Sequence, residues 1–259
     1  MKSVTSTIMM RVAFGKRYQD RHERKQVLRF LNEVQALMAD FFVSDIWSSL
    51  PFVCLLMNVL VGGTDTSAAT VVWAMTALIK NPKVMKRAQE EVRNVVGKKG
   101  RVDVDDLRKL TYLKAVVKEI MRLYPPVPLL LPRETTKDVI LQGYKIKAKT
   151  VVFVNALAIG RDPESWESPE EFLPERFLGS DIDFKGNDFE LIPFGAGRRI
   201  CPGISVGVAT VDLLLANLLY LFDWGLPNGM TKEDIDFDAM PGIIMHKRSD
   251  LCLLAHVYL

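Results

Sequence analysis

Apolar residues recur at helical spacing through most of this chain. Val27, Leu28, Leu31, Val34, Leu37 and Met38 share one face after a charged break at 17–25, so residues 1–45 read as helical. Ser48 or Ser49 with Pro51 makes a helix start, and the apolar pattern then continues to Lys80. Its one interruption is Gly62-Gly63-Thr64-Asp65-Thr66-Ser67, where each glycine costs about 1 kcal/mol relative to alanine in a helix. Asn81 as a cap and Pro82 at the first helical position open a further helix, with Val84, Ala88, Val92 and Val95 on one face and Gly97 at its end. Residues 103–110 read as a short polar helix or loop, and 112–123 as a helix.

Pro125-Pro126-Val127-Pro128 stops that helix and sets up an extended run over 127–131. Alternation around Gly143 predicts a small antiparallel hairpin sheet over 138–154. A Pro/Glu/Asp-rich meander follows over 161–186, then a long apolar helix over 204–222, a loop over 223–240 and a strand over 251–257. The expected fold class is mainly α with a small antiparallel β region, in one domain.

Composition narrows the possibilities without naming a chemistry. Hydrophobic residues make up 49 % and charged residues 25 %, a globular balance. Lys plus Arg number 34 against 31 Asp plus Glu, for a net charge of +3, which gives no case for nucleic acid as a partner. Cys54, Cys201 and Cys252 are too few and too scattered for a disulfide framework, and His22, His246 and His256 lie apart from any paired ligand. The 204–222 run carries Asp212 and Asn217 and reads as a buried helix rather than a membrane span, so the chain as written is expected to be soluble.

Candidate chemistry concentrates in Phe194-Gly195-Ala196-Gly197-Arg198-Arg199-Ile200-Cys201-Pro202-Gly203. A glycine-rich cationic loop delivers one cysteine to the start of the long apolar helix, with Pro202 suited to its first position. Backbone N–H groups, the positive end of the helix dipole and two guanidiniums favour a thiolate, which serves as nucleophile or metal ligand. For a lone cysteine the commoner reading is an inert buried residue.

The spacing alters that balance. Phe194-x-x-Gly197-x-Arg199-x-Cys201-x-Gly203 resembles the haem-binding loop of the cytochrome P450 monooxygenases, and five set residues at average usage coincide by chance in roughly one of a few million windows. The resemblance implies that Cys201 is the axial thiolate of haem b iron, that Phe194 shields the sulfur, that Arg199 meets a haem propionate, and that Gly203 lets the next helix pass near the ring. It implies a second propionate partner in Arg133. Gly62 and Gly63 would make room for O2 above the haem, and Asp65 and Thr66 would hold water and relay protons, as general acid catalysis of O–O cleavage requires. Val127, Leu130 and Ile243 match substrate-contacting positions. Glu119, Arg122 and Arg176 match a structural Glu/Arg/Arg network, in which loss of one member leaves buried charge at a cost of about 3–5 kcal/mol.

What the resemblance implies for function is a haem-thiolate monooxygenase that inserts one atom of O2 into a small apolar organic substrate, plant secondary metabolites being the expected class. Electrons would come from NADPH through a flavoprotein reductase, at the endoplasmic reticulum membrane. Two departures set an alternative beside this. The run Val12-Ala13-Phe14-Gly15-Lys16-Arg17-Tyr18 resembles a mid-chain segment of plant members, and 46–54 reads as a junction across a deleted roof segment, before 55–259 resumes the family pattern. The whole of 1–259 is thus expected to be one partial domain without the family's membrane anchor, which would leave it in the cytoplasm. The alternative is a non-catalytic, haem-deficient remnant or a faulty gene model, holding haem poorly because part of the pocket wall is missing.

Overall fold

The computed structural model describes residues 51–258, with side chains from residue 59 onward. The expected helices of 1–45, most of the junction and the Ser48/Ser49 cap lie outside the described residues. Helix α1 (Pro51–Lys80) passes through Gly62 and Gly63 without a break. Three hydroxyls on it are absorbed locally: Thr66 donates to the Gly62 carbonyl, Thr70 to Thr66 at 2.8 Å and Thr76 to Val72 at 2.8 Å. Such back-bonding lets threonines sit in an apolar helix without orphan donors.

Asn81 does not cap the next helix with its side chain. Its Nδ2 turns back to the Ala77 carbonyl at 2.9 Å and closes the end of α1 instead. Helix α2 (Pro82–Val96) therefore starts on the fixed φ of Pro82 and ends at Gly97, whose φ of +60° suits glycine. Short helix α3 (Val104–Leu107) is held by a reciprocal cap between Asp103 and Asp106. Helix α4 (Thr111–Leu123) is buried over most of its length, Glu119 and Arg122 included. Helix α5 (Ala156–Ile159) is one turn, and α6 (Ile204–Leu221) is the long apolar helix.

Helices α1, α2, α4 and α6 pack on one another around Val71, Ala74, Leu78, Ala88, Val92, Leu113, Val116, Ile120, Leu215 and Leu219. Tyr124 stacks on both Trp73 and Phe237, at centroid distances of 5.0 and 5.1 Å, and those two rings stack on each other at 6.3 Å, which seals the C-terminal loop against α1. Among the described residues, α6 is the one helix long and apolar enough to cross a membrane, but Val211, Leu215, Leu219 and Tyr220 pack it into this core.

Among the described residues, three two-stranded antiparallel sheets flank the helices, where one hairpin sheet and one strand were expected. β1 (Arg133–Glu134) pairs with β4 (Val151–Val152), and β2 (Val139–Leu141) pairs with β3 (Tyr144–Ile146). Gln142 and Gly143 both have positive φ, the geometry of a tight hairpin turn, so the hairpin closes early and frees β4 to join β1. β5 (Phe222–Gly225) falls where a loop was expected and pairs with β6 (Leu254–Val257). Gln89 and Arg93 of α2 hold β5 by its Phe222 carbonyl at 3.0 and 3.1 Å.

Candidate functional site

The cysteine loop is closed by its own backbone. The Cys201 N–H donates to the Phe194 carbonyl at 3.0 Å, and the Ile200 N–H to Gly197 at 3.1 Å across a 3-10 turn. Gly195 and Gly197 both take positive φ, +74° and +70°, which L side chains rarely adopt. Helix α6 begins at Ile204, where the apolar run does, with Gly203 as its flanking residue, so Pro202 belongs to the loop and not, as expected, to the first helical turn. Cys201 stays half-buried before the helix. A Cβ on Gly203 would stand 3.7 Å from the Cys201 sulfur, and one on Gly207 would stand 4.0 Å from the Phe194 ring. Small residues thus keep the sulfur's side of the loop open, while the Phe194 ring packs edge-on against Phe184 at 5.4 Å.

Arg133 and Arg199 come together, the Arg133 guanidinium donating to the Arg199 carbonyl at 3.2 Å. Both side chains are exposed, and neither has a carboxylate partner among the described residues. Two exposed arginine side chains with donors to spare suit a carboxylate-bearing ligand. On α1, nothing lies within 4 Å of where a Cβ on Gly62 would be, and Gly62 and Gly63 leave the helix surface accessible. The chemistry of these residues fits a flat group carrying two carboxylates: a half-buried sulfur, glycines that leave α1 accessible, and two exposed arginines.

Asp65 is buried and Thr66 half-buried on that same stretch of α1. The Thr66 hydroxyl donates back to Gly62, so its oxygen remains free to accept. Asp65 Oδ2 lies 2.7 Å from His246 Nε2, a contact the sequence reading missed by setting His246 apart. An acid in an apolar helix needs a hydrogen-bonding partner, and that requirement was the available signal.

His246 sits in a turn docked by backbone groups: Met245 donates to the Pro126 carbonyl at 2.9 Å and accepts from Trp73 Nε1 at 2.8 Å. The turn carries Ile243, exposed at 39 %, to the neighbourhood of the Pro125–Pro128 segment. That segment does not run extended. Leu130 N–H donates to Val127 at 3.1 Å and Leu130 takes φ +49°, because Pro128 presets the second position of a turn. The bend lays Leu130 against the cysteine loop, where a Cβ on Gly195 would meet its Cδ1 at 3.7 Å, and leaves Val127 half-buried beside it.

Beneath the site, Glu119, Arg122 and Arg176 meet. Glu119 receives Arg122 Nε and Nη2 at 2.7 and 2.8 Å, Arg176 Nε at 3.2 Å and the Leu173 N–H at 2.8 Å. This network ties α4 to the meander that leads into the cysteine loop.

Comparison with known proteins gives the arrangement a family. Residues 52–253 match the family model described as cytochrome P450. "Cytochrome P450 71A1" from Persea americana is 57 % identical over 205 residues, 79 % of this chain and 41 % of the relative. "6,7,8-trihydroxycoumarin synthase" from Pastinaca sativa is 42 % identical over 323 aligned residues, covering 99 % of this chain and 64 % of the relative. That alignment is longer than the 259-residue chain, so the relative carries stretches with no counterpart here. A solved zebra fish cytochrome P450 structure with abiraterone superposes with a TM-score of 0.82 at 24 % identity, over 99 % of this chain and 70 % of that one. The chain spans 41 to 64 % of the length of these curated relatives.

Proposed function

The chain belongs to the cytochrome P450 family, and on that premise we propose that it derives from a haem-thiolate monooxygenase acting on a small apolar organic compound. The observation that carries this reading is the cysteine loop, with a half-buried Cys201 beside open glycines and the exposed Arg133/Arg199 pair. Cys201 would ligate the iron of haem b, and Arg133 and Arg199 would hold its propionates. When bound, the haem supplies O2 activation and insertion of one oxygen atom into a C–H bond.

The protein's own part is positioning and proton delivery. Gly62 and Gly63 keep the α1 surface low enough for O2 to approach. Thr66 would turn its hydroxyl from the Gly62 carbonyl toward bound water, and buried Asp65 would resupply the proton. Val127, Leu130 and Ile243 would present apolar contacts that keep the substrate oriented and dry. Gly197 and Gly203 allow the loop path, Phe194 packs beside the sulfur, and Glu119, Arg122 and Arg176 hold the scaffold. Electrons from NADPH through a membrane-bound flavoprotein reductase, at the endoplasmic reticulum, complete the proposal. A relative named as a trihydroxycoumarin synthase supports a small secondary metabolite as the substrate class.

The test is spectroscopic. Protein given excess haem, reduced and exposed to CO should show the red-shifted Soret band of thiolate ligation, and Cys201→Ser should lose it. A parent spectrum without that band overturns haem-thiolate ligation in this chain.

A further inference from the structure

A proton-relay acid works only if its carboxylate points where the water is, and Asp65 does not set its own direction. Its side chain is 4 % exposed on an apolar helix, and His246, 181 positions away, meets its Oδ2 through Nε2 at 2.7 Å. With the carboxylate ionised, the ring N–H donates and the acid has one oxygen fixed by that bond. His246 is itself 25 % exposed, so the pair spans from the protein interior to its accessible surface.

The turn that carries His246 is held on both sides. Met240 N–H donates to the His246 carbonyl at 2.8 Å, and the bridge between Ala239 and Lys247 closes the turn upon itself. Met245, next to His246, bonds Pro126 through its N–H and Trp73 through its carbonyl. Ile243, an apolar contact candidate, lies three residues before His246 on the same turn. One turn therefore bears an exposed apolar side chain and the ring that grips the buried acid.

We propose that His246 is the positioning residue for Asp65, and that its turn couples the seating of an apolar substrate to the aim of the proton-delivering carboxylate. The proposal rests on the monooxygenase reading for its purpose, though not for its geometry. Displacement of Ile243 by a substrate moves the backbone that holds His246, and the carboxylate follows the ring. A covalent or redox role for His246 is no part of it.

Two measurements test it, one without haem. In the haem-free chain, the ring nitrogen signal of His246 in two-dimensional NMR should move on Asp65→Asn, while that of His256 should stay in place. An unmoved His246 signal overturns the contact and with it the proposal. In chain loaded with haem and supplied with electrons and O2, His246→Leu should raise peroxide released per electron severalfold at equal haem occupancy. His246→Gln, which keeps a donor, should restore it most of the way. Peroxide unchanged in His246→Leu, or equally high in His246→Gln, overturns the positioning role. A chain that binds no haem defeats the monooxygenase reading, and the NMR result then decides the pair by itself.

Discussion

Two arginine sites in this molecule show opposite designs. Arg122 is 1 % exposed, and each of its N–H groups has a partner: both carboxylate oxygens of Glu119, and the carbonyls of Gly160 at 2.5 Å, Pro169 at 2.7 Å and Glu171 at 3.1 Å. Arg133 and Arg199, at the cysteine loop, are exposed, and among the described residues their side chains show one hydrogen bond between them, to a protein carbonyl at 3.2 Å. The first site spends its donors inside the protein and stabilises the fold. The second leaves its donors exposed, as the proposed hold on haem propionates requires. Stability and chemistry are therefore carried by separate residues, and substitutions should divide accordingly.

The largest effect is expected at the core. Arg122→Leu leaves Glu119, fully buried, facing only Arg176 and a backbone N–H, and should cost about 3–5 kcal/mol in urea unfolding. Arg199→Leu should change stability by no more than about 0.5 kcal/mol, yet weaken haem binding. Equal stability losses at the two arginines would erase the contrast.

Asp212 sharpens the comparison from within the core. Burial pushes its carboxyl up to about 6 from 3.8, and the positive charge of Lys114 opposes this only in part. The folded protein thus holds this proton more tightly than the unfolded chain does. Its burden on stability is fully present above about 6, is relieved as pH falls through that value, and is gone near 3.8. The difference amounts to about 3 kcal/mol, since each pH unit separating the folded from the unfolded value corresponds to about 1.36 kcal/mol. Asp212→Asn should flatten that part of the unfolding profile, and an unchanged slope would place the titration elsewhere.

Gly160 gives a smaller, steric test of the same network. A Cβ there would strike the Arg122 carbonyl oxygen, so Gly160→Ala should shift α5 against α4 and cost about 1–3 kcal/mol. Arg122 should keep its pairing with Glu119 and lose the bond to the Gly160 carbonyl. A neutral result would mean that the meander adapts freely.

How much of this the sequence discloses depends on the range of the interaction. Glu119 and Arg122 stand three residues apart on one helix, so their pairing is readable from spacing alone. The carbonyls of Gly160, Pro169 and Glu171 are not, since their positions follow the path of an irregular segment. The Cys201 loop is legible because its glycines, arginine and cysteine all lie within ten residues. His246 escaped notice because its partner is on a helix 181 positions earlier. β5 was read as loop for a related reason: Phe222-Asp223-Trp224-Gly225 alternates over too few residues to mark a strand, and its order comes from pairing with residues 254–257. Likewise nothing local to Val151 and Val152 shows that they join Arg133 and Glu134 rather than the nearer hairpin.

The smallest effect on stability is expected at the hairpin, where the loop side of the comparison reaches its extreme. In β2 and β3, Ile140 is 77 % exposed, Leu141 62 % and Tyr144 76 %, so their side chains contribute little buried apolar area. What orders the hairpin is backbone geometry, the positive φ of Gln142 and Gly143 and the pairing of Val139 with Ile146. The nearby Asp138 carboxylate adds its hold on the Ala148 N–H at 2.9 Å. Ile140→Thr with Tyr144→Thr puts a β-branched residue at both positions and should leave unfolding free energy within about 0.5 kcal/mol. The same pair should reduce self-association measured by light scattering, because exposed apolar strands invite pairing with other chains. A double variant that unfolds more easily by about 2 kcal/mol or more would show that this face packs against something in the folded chain, and the division between a self-contained core and an open loop side would fail at that point.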